Sequence, residues 1–229
     1  LLSAFPDLII ARQEAALLSS AFDLGAAGPD NEYGAGRLDL LGAYQWLLAS
    51  GVAPQTGAPI VVNTASDVLA EDGVCSLREA VLSANTDTAV GGCVAGGGGD
   101  TILFDSALAR PVTITLAVAG ADEDAAATGD LDITGTLSID GMATGAAAAA
   151  LAPTIVIDGR ALDRVFDIQP GAHVTIQGVA LRNGLGAIAD AGGGVRSRGE
   201  LTLRHASVSA NQGGGLRNAE LALYDSAAT

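Results

Sequence analysis

The chain has 229 residues, enough for one large domain or two small ones with a buried core. Its 26 acids outweigh 11 basic residues, all of them arginine; the net charge of −15 repels phosphate backbones and anionic headgroups, which excludes nucleic-acid and membrane-surface binding as expectations. Aromatics make up 3% of the chain and glycine numbers 31, so the core is expected from layers of Val, Ile and Leu rather than from large rings.

In chain order, Leu1-Leu2-Ser3-Ala4-Phe5 lacks the basic start and apolar run of a signal peptide and reads as an internal beginning. No stretch approaches the ~20 apolar residues of a membrane span. Residues 1–50 predict two helices. Pro6-Asp7 opens the first, in which Ala11, Ala15, Leu18 and Phe22 recur at helical spacing, and Gly25 to Asn31 breaks it. The second follows Gly34-Ala35-Gly36 and runs from about Asp39, its N-cap, to Leu48, with Trp46 packed inside the helical unit. Residues 51–59 have linker composition and mark a domain boundary.

Beyond Pro59 the pattern changes to short β segments, beginning with Ile60-Val61-Val62 and Thr101-Ile102-Leu103-Phe104. Between them Ser76-Leu77-Arg78-Glu79 is a capping box: Ser76 accepts from the Glu79 N–H, and the Glu79 carboxylate reaches back to the Ser76 N–H. Cys75 precedes the cap and Cys93 follows it. Repetition then dominates. Gly192-Gly193-Gly194-Val195-Arg196 recurs 21 residues later as Gly213-Gly214-Gly215-Leu216-Arg217, each leading into an alternating segment such as Leu201-Thr202-Leu203. Weaker copies lie upstream at 137–141, 155–159 and 174–178. A period of about 20 residues with short strands predicts a mainly β fold, a right-handed parallel β-helix (solenoid) with an N-terminal cap helix, preceded by a small α-helical remnant. In this scheme Val174 and Ile176 point inward, the Gly triplets make corners, and Asn183 and Asn211 stand at coil corners where their side chains tolerate a left-handed backbone.

Two resemblances accompany these patterns. Gly28-Pro29-Asp30-Asn31-Glu32-Tyr33-Gly34-Ala35-Gly36-Arg37-Leu38-Asp39, with Phe5-Pro6-Asp7-Leu8 before it, resembles the C-terminal tail of a subtilisin-family serine peptidase domain over about residues 1–48. Cys75-Ser76-Leu77-Arg78-Glu79-Ala80 resembles the signature of CSLREA-type bacterial extracellular modules over about 60–229, and Asp100-Thr101-Ile102, Gly129-Asp130-Leu131-Asp132-Ile133 and Arg164-Val165-Phe166-Asp167-Ile168 follow in the expected order. The resemblances imply a large secreted or surface-bound bacterial protein, with a subtilase tail at 1–50, a linker at 51–59, a cap at 60–99 and truncated coils at 100–229. The second resemblance implies no reaction; the first implies that the larger protein is a subtilisin-like serine peptidase. In such an exported chain Cys75 and Cys93 are expected to form a disulfide rather than a metal site, which would need further ligands.

The residues themselves argue against catalysis. No Gly-Thr-Ser-Met-Ala segment is present, and His173 and His205 are followed by Val174 and Ala206 rather than by the glycine of a subtilase histidine. A peptidase triad would lie upstream of Leu1. Carbohydrate cleavage needs clustered carboxylates, whereas Asp140, Asp158, Asp163 and Asp167 are scattered and read mostly as turn residues. Calcium is the one cofactor left open, because Gly96-Gly97-Gly98-Gly99-Asp100 approximates a single copy of a tandem calcium repeat and Asp122-Glu123-Asp124 forms an acidic loop. His173 and His205 are expected as exposed strand residues without a third metal ligand. The expected function is therefore a non-catalytic surface, spacer or adhesion module with a surface or carbohydrate ligand. Its bare last coil is expected to promote end-to-end self-association. The alternative is a carbohydrate-binding or carbohydrate-cleaving module whose site lies in coils beyond Thr229.

Overall fold

The computed structural model describes residue 5 and residues 8–25, 28–52, 58–120, 123–142, 153–186, 192–224 and 226–228. Two compact units result, Leu1–Gln55 and Thr56–Thr229. The linker positions 53–57 lie outside the described residues.

In the first unit, helices α1 (Ile10–Ser20) and α2 (Leu40–Ala49) pack around Phe5, Leu8, Ala16, Ala43, Leu47 and Val52. Asp39 caps α2 by accepting from Gly42 N at 2.8 Å. Trp46 packs partly buried against the same core. Phe22, assigned to the first helix by its spacing, lies beyond the end of α1 in an antiparallel bridge to Arg37, whose guanidinium sits over its ring. Pro6 and Asp7 lie outside the described residues.

The second unit contains, in chain order, β1 (Ile60–Val62), α3 (Leu77–Thr86), β2 (Gly99–Phe104), β3 (Val112–Thr115), β4 (Leu131–Ile133), β5 (Thr136–Asp140), β6 (Ile155–Asp158) and β7 (Phe166–Ile168). It continues with β8 (His173–Gln177), β9 (Val179–Arg182), β10 (Val195–Arg204), β11 (Ser207–Ser209), β12 (Leu216–Tyr224) and β13 (Ala227–Ala228). Eight strands form one parallel sheet in the order β1-β2-β5-β8-β10-β7-β4, with β12 also paired to β10. The other five form a second parallel sheet, β13-β11-β9-β6-β3. Registers place like over like: Ile102, Ile139, Ile176 and Leu203 align on successive strands, as do Leu137, Val174 and Leu201. These side chains are buried, and each contributes about 1.5–3 kcal/mol relative to exposure. Alternation decides which face is inward: in β3, Val112 and Ile114 are buried while Thr113 and Thr115 face out.

The expected right-handed parallel β-helix of coils about 20 residues long is corrected. The described strands form the two parallel sheets, and the described residues also hold three short helices; no uniform coil runs through the described residues of the second unit. Paired positions lie 42 residues apart from Ile60 to Ile102, 37 from Ile102 to Ile139 and from Ile139 to Ile176, 27 from Ile176 to Leu203, and only 20 from Leu203 to Leu223. The cause is unequal excursions between strands, notably the segment carrying α3 and the 123–130 loop. A second cause is β10 itself, a ten-residue strand that pairs β7, β8 and β12 and so joins what upstream are separate short strands. The two Gly triplets therefore marked one local repeat. Their packing role is clear at Gly193, where a β-carbon would collide with the carbonyl oxygen of Gln212.

Candidate functional site

The residues around α3 form a buried clasp. Cys75 and Cys93 are joined by a disulfide, with Cα atoms 4.7 Å apart. Ser76 Oγ accepts from Glu79 N at 3.2 Å, and Ser76 N donates to Glu79 Oε2 at 2.9 Å. Both side chains also hold the preceding loop: Ser76 Oγ donates to Val68 O, and Glu79 Oε1 accepts from Ala70 N. Arg78 is fully buried. It donates from Nε and Nη2 to the two carboxylate oxygens of Asp67, at 2.7 and 3.1 Å, and from Nη1 and Nη2 to the carbonyls of Ala126, Asp130 and Gly129. Asp67 in turn accepts from Ala117 N and Val118 N. Nothing in the sequence separated Arg78 from a surface arginine; only the partner Asp67, 11 residues upstream, completes the pair.

The loop that Arg78 grips, residues 123–130, lies over a second polar cluster on the larger sheet. β4 and β7 pair so that Asp132 stands beside Asp167, with Arg196 and then Arg217 next in the same row. Asp132 accepts from Ala126 N at 2.9 Å and from Gln169 Nε2 at 3.0 Å. Asp167 accepts from Arg196 Nε at 3.0 Å, from Arg196 Nη2, and from Arg198 Nη2 at 3.2 Å. Gln169 Nε2 also donates to Asp124, and its Oε1 accepts from Arg198. Beside them Arg164 pairs with Asp130 at 2.7 Å. Burial raises the Asp130 carboxyl to about 8, aided by the neighbouring charges of Asp132, Asp163 and Asp167 and opposed by Arg164. Burial likewise raises Asp132 to about 6, against the hydrogen bonds from Ala126 and Gln169.

This cluster overturns the assignment of Asp167 to a turn: it lies within β7 and is 1% exposed. The missed signal was the repetition of an apolar residue, Asp and Ile in Leu131-Asp132-Ile133 and Phe166-Asp167-Ile168, two segments that pair directly. One carboxylate oxygen each from Asp124, Asp132 and Asp167 falls within 4.8 Å of the others, close enough to surround a cation. Gln169 donates to Asp124 and Asp132, and Arg196 and Arg198 donate to Asp167, so the three carboxylates are already joined in a network of hydrogen bonds and ion pairs.

The remaining sequence candidates are dispersed. Asn183 adopts the left-handed backbone, with φ of 54°, and donates to Asp158 at 2.9 Å. At the later corner Ala210 takes that conformation, with φ of 54°, while Asn211 accepts from Gly184 N and donates to Leu181 O, bridging two segments. His173 is not an exposed strand residue: its Nδ1 lies 3.0 Å from Glu200 Oε2 on the neighbouring strand, and both side chains are largely buried. His205 follows β10 at a bend rather than lying in a strand. Asp100 is buried and accepts from Gly97 N in its own loop, and burial raises its pKa. Glu123 accepts from Ala125 N and Thr128 N, whereas Asp122 lies outside the described residues. Asp140 and Asp158 do end strands, each accepting from a backbone N–H two residues on. Among the described residues no helix is long and apolar enough to cross a membrane. No protein-family model, curated protein or solved structure matches the chain.

Proposed function

We propose that the chain is a non-catalytic surface, spacer or adhesion module of a larger secreted bacterial protein, joined to the tail of a subtilisin-like peptidase domain. The observation that carries this reading is the closure of the Asp132–Asp167 cluster. Every oxygen of those two buried carboxylates accepts from the chain's own N–H groups, so their charge serves to hold loop 123–130 and strands β4, β7 and β10 together. The six residues Cys75 to Ala80 are likewise buried and spent on local structure. A disulfide suits an oxidising compartment outside the cytosol. The first unit supports attachment to a larger body: α2 is apolar nearly all round, yet Leu40, Leu41 and Leu48 are exposed, a pattern expected of a helix normally enclosed on more than one side.

A carbohydrate-binding or carbohydrate-cleaving role is the second reading. It is favoured by the approach of Asp132 and Asp167, a pair of buried carboxylates with Gln169 and Arg196 beside them. One experiment separates the two. The purified chain and its Asp167→Asn variant are incubated with casein and with a panel of acidic and neutral polysaccharides, while new amino and reducing ends are measured. The module reading expects no turnover by either protein and a lowered melting temperature for the variant. Turnover by the parent chain that Asp167→Asn abolishes without unfolding would overturn it.

A further inference from the structure

The corner that follows β9 is built from a chemically labile dipeptide. Asn183 takes the left-handed backbone there, with φ of 54°, a conformation that asparagine tolerates better than most residues. Gly184 is buried, and a β-carbon on it would overlap the carbonyl oxygen of Gly193. The pair is the only Asn-Gly in the sequence. Asparagine followed by glycine is prone to ring closure, because no side chain hinders the glycine nitrogen from reaching the asparagine carboxamide. Here both reacting nitrogens are tied. Gly184 N, the nucleophile, donates to Asn211 Oδ1 at 2.8 Å, and Asn183 Nδ2, the leaving group, donates to Asp158 Oδ2 at 2.9 Å. The carbonyl of the same peptide, Asn183 O, accepts from Ala161 N at 2.6 Å. That peptide therefore cannot swing toward the carboxamide without breaking hydrogen bonds at both its polar atoms.

We propose that Asn183 is a latent self-modification site, held off by Asn211 and irreversible in its effect once it reacts. When the Gly184–Asn211 bond opens, Gly184 N gives its proton to solvent and attacks Asn183 Cγ. The N–Cγ bond forms, the Cγ–Nδ2 bond breaks, and Nδ2 takes a proton from solvent and departs as ammonia. Water then opens the succinimide at either carbonyl, leaving an aspartate or an isoaspartate in place of Asn183. Either product sets a carboxylate against Asp158, whose Oδ2 also accepts from Arg182 Nε at 3.1 Å and whose Oδ1 accepts from Arg160 N. A hydrogen bond is thereby exchanged for a like-charge contact, with Arg182 left to serve both acids. Isoaspartate also lengthens the backbone at a corner where Gly184 packs directly on Gly193. The modification loosens the end of β9, the strand that joins β6 to β11 in the smaller sheet.

The full chain is held warm in mildly alkaline buffer, folded and in urea, and the tryptic peptide that begins at Asn183 is followed by mass spectrometry for deamidation and isoaspartate. The folded chain should convert at least about thirtyfold more slowly than the unfolded one, the effect of two hydrogen bonds. Asn211→Ala, which frees Gly184 N, should convert about fivefold faster than the folded parent, the effect of one. Asn183→Asp, which installs the product directly, should lower the melting temperature by roughly 3–6 °C, and most of that loss should vanish in an Asp158→Asn background. The proposal is overturned if the folded parent converts as fast as the unfolded chain, or if Asn211→Ala with unchanged circular dichroism converts at the parent's rate. It is also overturned if Asn183→Asp melts with the parent. The first and third comparisons use no Asn211 variant, so they decide the matter even where that substitution unfolds the chain.

Discussion

Two edge strands of the larger sheet, β1 and β12, begin from similar sequences and end differently. Ile60-Val61-Val62 in β1 and Leu221-Ala222-Leu223 in β12 are both short apolar segments paired on one side to an inner strand. Ile60 and Val62 are fully buried because α3 packs over them, bringing Leu77 and Val81 into the same core. No described element packs over Leu221 and Leu223 in this way, and they are nearly half exposed. An edge strand's own pattern therefore does not decide whether its side chains are buried; the covering element does. At β1 that element is itself fastened by the Cys75–Cys93 disulfide, the Ser76–Glu79 capping box and the Arg78–Asp67 pair.

The most severe way to break this asymmetry is to remove the guanidinium beneath the cap. Arg78→Ala leaves the Asp67 carboxylate buried without its partner, together with three carbonyls of loop 123–130. The expected loss is about 3–5 kcal/mol in urea unfolding. Leu221→Ala, in the half-exposed row of β12, should cost about 1 kcal/mol or less. Equal effects of the two substitutions would show that the cap edge is no better secured than the open one.

A smaller effect concerns pH. Asp130 and Asp132 have folded pKa values of about 8 and about 6, raised from the ordinary 3.8 chiefly by burial. Both groups therefore bind protons more tightly in the folded chain. Their contribution to stability is complete below about pH 4 and is lost as pH rises through 6 and then 8, where the folded carboxyls must ionise against their surroundings. The melting temperature should accordingly fall from pH 5 to pH 8.5 through these groups, and Asp130→Asn should reduce that fall by roughly 2–4 °C. An unchanged pH dependence in the variant would remove Asp130 from the account.

Local signals were the legible part of the fold. The capping box over Ser76 and Glu79 and the Asp39 N-cap each depend on residues a few positions apart, which a single sequence displays, whereas the expected alternation in β8 fails at Thr175, which is buried along with Val174 and Ile176 rather than facing solvent. Overall winding was not legible in the same way. The spacing of 21 between Gly triplets is a true neighbour relation in the last strands, but it does not extend upstream, where α3 and loop 123–130 lengthen the intervals. The polar cluster was hidden for a related reason. Asp132 and Asp167 lie 35 residues apart, and only the register of β4 on β7 makes them neighbours. Arg78 was visible as a motif letter, but its burial required a tertiary partner.

Amide exchange on the native chain tests the central claim, that one edge of the larger sheet is closed by a fastened cap and the other is open. Before reduction, amides of β1, α3 and β2 should exchange slowly and those of β12 fast. Reducing the disulfide should speed exchange at Ile60–Val62, Leu77–Thr86 and Gly99–Phe104, consistent with a loss of about 3 kcal/mol for a closed loop of this size. Leu216–Tyr224 should be unaffected. Equal protection of β1 and β12 in the oxidised chain, or reduction that loosens β12 as much as β1, would contradict the account.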